Sequence, residues 1–104
     1  MNKLNNQNFD QSISTGLNLV KFSASWCGPC KAYAPVFQKL SESVNGAGFF
    51  EISLDDGPEI QDIANKYEIK AIPTILIFKD GAVVEKITGL KPLNTLIELV
   101  QKYQ

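Results

Sequence analysis

The sequence predicts an α/β sandwich built on a mixed sheet. Three observations carry this reading. Runs rich in β-branched and aromatic residues alternate with helical periodicities, prolines stand where helices would open, and an Asp-Gly turn follows the last of the alternating runs.

Leu17–Ala24, Phe49–Leu54 and Thr74–Phe78 read as strands. Between and after them lie three apolar stripes. Cys30, Ala34, Phe37, Ser41 and Val44 form one, with Tyr33, Val36 and Leu40 beside it. Ile60, Ile63, Ala64 and Tyr67 form the second, and Leu93, Leu96, Ile97 and Val100 the third. Pro29, Pro58 and Pro92 suit first helical turns, where a missing N–H costs nothing, and Pro35 falls inside a helix it should kink. Asn8-x-x-Gln11 has capping-box spacing and predicts a short helix near residues 8–15. Asp80-Gly81 predicts a hairpin into Val83–Thr88. Strands joined through helices require a parallel sheet core, to which the hairpin adds an antiparallel strand.

At 104 residues, the chain reads as one domain, residues 1–104, since domains run to roughly 100–200 residues. Ten Lys+Arg against eleven Asp+Glu leave a net charge of −1, which argues against nucleic acid as the main partner. The absence of His removes Ser-His-Asp, Cys-His and His-ligated zinc chemistry together. The polar start Met1–Asn8 has no apolar signal core, and no apolar run approaches the length of a membrane span. A cytoplasmic protein without membrane attachment is the expectation.

The chemistry concentrates in Trp26-Cys27-Gly28-Pro29-Cys30-Lys31. As half of a zinc site, Cys-x-x-Cys lacks two further ligands; as two core cysteines it would be inert. The redox reading has a mechanism. Cys27 stands where a helix opens after a strand, and the unsatisfied N–H groups there favour an anion. Thiolate is the reacting form, so this placement activates Cys27. Cys30, one turn inside and expected to be more buried, is near enough to close a small ring with it. Metal is not expected.

The chain resembles the thioredoxin family over nearly its whole length. The most specific match is Cys27-Gly28-Pro29-Cys30 with its flanks. Pro35, Tyr67-x-Ile69, Ala71-Ile72-Pro73-Thr74, Phe78-Lys79-Asp80-Gly81 and Gly89 add to it. The resemblance implies a three-layer sandwich with a central mixed five-stranded sheet flanked by four helices. It implies a general protein disulfide reductase that serves as an electron carrier in cell redox homeostasis. Cys27 would be the nucleophile and Cys30 the resolving thiol, with disulfide-containing proteins as substrates. The redox-active disulfide would be re-reduced by an external thioredoxin reductase, with no bound cofactor, and the protein would be a monomer. The resemblance also implies a cis peptide at Ile72-Pro73, and a flat apolar substrate platform of Trp26, Gly28, Pro29, Ile72, Pro73 and Gly89.

Two departures stand out. Six residues before the first Cys, relatives carry a buried Asp that takes or relays the second thiol's proton; here it is Lys21. On the facing strand a Lys is usual; here it is Glu51. The pair has swapped signs, or these are two unrelated surface charges in a different strand register. Ser23-Ala24-Ser25 also stands where many bacterial relatives carry an aromatic residue.

Two other function classes compete with the reductase. One is an oxidant or isomerase. Oxidants of this fold usually carry His or other thiolate-stabilising residues inside the motif, which Gly28-Pro29 does not supply, and no export signal is seen, though a Lys21 cation near a thiolate would favour this class. A non-catalytic binding module would not need both thiols.

Overall fold

In the computed structural model, which describes residues 2–104, strand β2 (Leu17–Ser23) is buried at every position. Strand β3 (Ala47–Ser53) pairs parallel to one edge of β2, and β4 (Thr74–Lys79) pairs antiparallel to the other. The short β1 (Asn2–Lys3) extends the sheet beyond β3, and β5 (Ala82–Thr88) extends it beyond β4. The five strands run in the order β1-β3-β2-β4-β5. The parallel core therefore stops at β3: β4, which the alternation of strands and helices predicts to be parallel, is antiparallel. Helix α3 (Pro58–Lys66) is only nine residues, and the non-regular stretch from Tyr67 to Pro73 adds a further reversal. That stretch delivers β4 at the end of β2 where the cysteines lie, with Thr74 opposite Phe22.

The pleat sends alternate β2 side chains into two cores. Leu17 and Leu19 join Ile75, Ile77 and Ile87 under helix α2 (Gly28–Ser43) and helix α4 (Leu93–Lys102). Val20 and Phe22 join Ile52, Leu76 and Phe78 under helix α1 (Phe9–Ile13) and α3. The result is the three-layer sandwich with four helices. The buried stripe of α2 is Cys30, Tyr33, Phe37 and Leu40, continued by Val44 just past its end. Ala34, expected on it, is exposed, and Ser41, only half-buried, turns its hydroxyl back to the Gln38 carbonyl. The helix is continuous through Pro35.

Three local expectations are corrected. The Asn8–Gln11 capping box does not form. Asn8 Oδ1 accepts from the Asn5 N–H, while Asn5 Oδ1 accepts from Gln7 and Asn8, so the polar turn is closed one step earlier. Pro92 is the residue before α4, not within its first turn. The hairpin strand begins at Ala82, directly after Asp80-Gly81. Both turn residues have positive φ, 50° and 86°, as a two-residue hairpin matched to strand twist requires. Asp80 also accepts the Gly16 N–H and donates its own N–H to the Gly16 carbonyl, tying this turn to the start of β2.

Leu76 has no exposed surface, whereas Val83 is 41% exposed. Leu76→Ala should lower the unfolding free energy by about 2–5 kcal/mol. Val83→Ala should change it by less than about 0.5 kcal/mol. Urea unfolding monitored by circular dichroism checks both.

Candidate active site

Beyond Ser23 the chain leaves β2, turns through Ala24–Trp26 and enters α2 with Cys27 as the N-cap. A single backbone bond, from the Cys27 N–H to the Ala24 carbonyl, closes this turn. Pro29 occupies the first turn of α2 and needs no hydrogen-bond partner for its nitrogen. Cys27 Sγ accepts the Cys30 N–H at 3.2 Å, so the sulfur takes the part that a capping hydroxyl plays elsewhere. A capping N–H and a sixteen-residue helix dipole both stabilise negative charge on that sulfur.

Cys27 and Cys30 are joined by a disulfide, with Cα atoms 5.3 Å apart. Cys27 is 5% exposed and Cys30 3%, so the expected difference in burial is nearly absent. Ala24, Leu54 and Ile72 pack around the two cysteines.

The Ile72-Pro73 peptide is cis. Antiparallel pairing of β4 with β2 brings it to the cysteine end of the sheet. The Gly89 N–H donates to the Pro73 carbonyl at 2.9 Å, and Gly89 has a φ of 82°, which favours glycine. Of the expected platform, Trp26 is 71% exposed, Gly28 and Pro29 are exposed, Ile72 and Gly89 are half-buried, and Pro73 is buried. Leu90, which follows Gly89 and has no place in the platform read from the sequence, is also exposed.

Lys21 and Glu51 are register partners across the β2–β3 seam. Their charged atoms lie 4.0 Å apart. The Lys21 side chain is buried, whereas that of Glu51 keeps 28% of its surface. The lysine also lies over the Phe37 ring, 5.4 Å from its centroid. Burial pushes the Lys21 pKa down from its ordinary value, and the Glu51 charge pulls it partly back. Ser23 donates its hydroxyl to Glu51 Oε1 at 3.1 Å. Lys21 thus faces a carboxylate and a ring.

A second polar group goes beyond the residues singled out from the sequence. Asp55 accepts from the Ser25 N–H, the Ser25 hydroxyl and the Ser53 hydroxyl. These bonds, the Ser25 hydroxyl first, hold its carboxyl well below the usual carboxylate range. The sequence carries no local signal for this, because Ser25 and Asp55 are thirty residues apart.

A family model for Thioredoxin matches residues 1–102. The chain belongs to the thioredoxin family. It is 41% identical to a thioredoxin of Staphylococcus saprophyticus over 102 residues, which cover 97% of this chain and 95% of the relative. Among solved structures it is similar to a mutant thioredoxin from Halobacterium salinarum, with a TM-score of 0.86 and 32% identity over 98% of this chain and 90% of that one. It is equally similar to oxidized mitochondrial thioredoxin 3 from Saccharomyces cerevisiae, with a TM-score of 0.86 and 32% identity over 98% and 94% of the two chains. The thioredoxin fold and dithiol–disulfide exchange at a Cys27–Cys30 centre follow, the activity of a protein-disulfide oxidoreductase.

The Lys21–Glu51 geometry makes two checkable statements. Removing one partner strands a charge that removing both does not. Lys21→Met and Glu51→Gln should therefore sum to more destabilisation than the double variant, by about 1 kcal/mol in urea unfolding. The folded pKa of Lys21 lies below 10.5, its unfolded value. Between the two, the unfolded chain holds the extra proton, so this residue makes stability rise with pH in that window. Lys21→Met should flatten the rise, measured below about pH 9, a unit under the ordinary tyrosine value, so that the buried Tyr33, whose pKa is raised in the folded state, stays largely protonated in both states.

Proposed function

We propose that this protein is a general protein disulfide reductase, with Cys27 as nucleophile and Cys30 as resolving thiol. The observation that carries the reading is the seat of Cys27: an N-cap sulfur that accepts a backbone N–H and is bonded to its partner one turn along. In the reduced protein, the Cys27 thiolate attacks a target disulfide. A Cys27–target bond forms, the target S–S bond breaks, and the departing target thiolate takes up a proton. Cys30, once deprotonated, attacks Cys27 Sγ, which restores the Cys27–Cys30 disulfide and releases the second target thiolate. Two electrons have passed to the target. They return from an external thioredoxin reductase, since the sequence holds no flavin or nucleotide fingerprint.

Trp26, Gly28, Pro29, Ile72, Pro73 and Gly89 form the docking platform in this reading. The Ile72 backbone beside the cysteines offers hydrogen bonds to an extended substrate segment, in the manner of strand addition. In this reading the acceptor of the Cys30 proton is Glu51, which is partly open to solvent, or a neutral Lys21 4.0 Å from it. We place the protein in the cytoplasm, as a one-domain monomer acting in electron transport to protein disulfides, with neither nucleic acid nor membrane as partner.

The thiol roles are tested by substitution and trapping. Cys27→Ser should abolish reduction of insulin. Cys30→Ser should still attack and accumulate as a covalent adduct with the substrate, visible by mass spectrometry. Alkylation of the reduced protein should label Cys27 first. Faster labelling of Cys30, or an adduct formed through Cys30 in the wild-type protein, would reverse the assignment.

A further inference from the structure

The last ladder bond between β2 and β3 runs from the Leu54 N–H to the Ser23 carbonyl. Ser23 and Ser53 are the last register partners, and two residues beyond them come Ser25 and Asp55. There the strands part, one toward Cys27 and the other toward α3. The Asp55 side chain continues the ladder. Its Oδ1 takes the Ser25 N–H at 3.1 Å, as a strand carbonyl would, and the Ser53 hydroxyl at 2.5 Å, while Oδ2 takes the Ser25 hydroxyl. Both oxygens are engaged, by donors from the two separating segments.

We propose that Asp55 is a positioning residue for substrate docking: it fastens the segment leading to Trp26 and Cys27 and so fixes the pose of the Trp26 ring. The proposal rests on the reading of Trp26 as part of the docking platform. Residues 25 and 26 are exposed and gain little from burial, so hydrogen bonding is the main means of holding them. Charge-assisted bonds are about twice as strong as neutral ones, and three converge here. Burial cannot explain the arrangement either, since Asp55 is itself exposed. The low carboxyl pKa is what three donors aimed at an ionised Asp produce. Ordering Trp26 before the substrate arrives removes an entropic cost from binding, and so acts on KM.

The experiment measures reduction of insulin disulfides by the full chain, with dithiothreitol as external reductant. Reduction of a small aromatic disulfide, which does not need the platform, is run alongside. Trp26 is the single tryptophan, so its fluorescence anisotropy reports the pose directly. Asp55→Ala should raise the KM for insulin about fivefold, the worth of one ordinary net hydrogen bond, with kcat unchanged. It should leave the small-disulfide rate unchanged and lower the Trp26 anisotropy. Asp55→Asn keeps the Oδ1 acceptor and should restore most of the KM and the anisotropy. Ser25→Ala, which removes only the Oδ2 bond, should give a smaller change in the same direction. It keeps the test decisive if Asp55→Ala folds poorly. Trp26→Ala separates the two readings. If it raises the KM while Asp55→Ala and Ser25→Ala do not, the positioning role is overturned and the platform stands. If Trp26→Ala leaves the KM unchanged, the platform reading itself fails.

Discussion

The hydrogen-bonded position of β2, between a parallel neighbour and an antiparallel one, decides where every group of the active centre can stand. Its residues are buried on both faces, so its direction and register are held by two cores at once. The parallel ladder to β3 carries Glu51 to Lys21 and Ser53 to Ser23. The antiparallel ladder to β4 carries Pro73 to the end from which α2 departs. A slip of one residue in either ladder would exchange the two faces and separate these groups. The disulfide, the cis peptide and the polar pairs are brought together by one strand's pairing.

Two kinds of electrostatics meet at that strand's end. The α2 N-terminus stabilises charge on Cys27 through fixed backbone dipoles, which need no partner and do not titrate. The β2–β3 seam is different. Lys21, Ser23, Glu51 and Ser53 share the face under α2, so a polar stripe runs from a buried ammonium toward the solvent-facing Asp55. Burying Lys21 is unfavourable by itself, as its lowered pKa records, and Glu51 and the Phe37 ring offset part of that cost. Serine at position 23 gives Glu51 a hydroxyl donor at the point where the carboxylate leaves the sheet for solvent.

Features written in neighbouring residues are legible from the sequence. The three central strands, the apolar faces of α3 and α4, the hairpin at Asp80-Gly81 and Cys27 at a helix start all follow from spacings of a few residues, because periodicity and turn chemistry act over that range. Where local rules mislead, another contact has won. The Asn8 capping box gives way to Asn5, whose side chain closes the same turn first, and Ala34 yields the α2 stripe to Tyr33, which fits the deeper core.

The sequence by itself determined the chemistry available: two thiols one helical turn apart, no histidine, and a lysine and a glutamate at positions 21 and 51. Only the tertiary structure decided what met what. The direction of β4 depends on how far a nine-residue helix and the stretch after it carry the chain, a property of the path and not of any residue in it. The same path sets the Lys21–Glu51 distance, the Gly89 bond to Pro73 and the convergence of Ser25 and Ser53 on Asp55. These meetings are set by strand register and loop closure, to which composition and periodicity are blind.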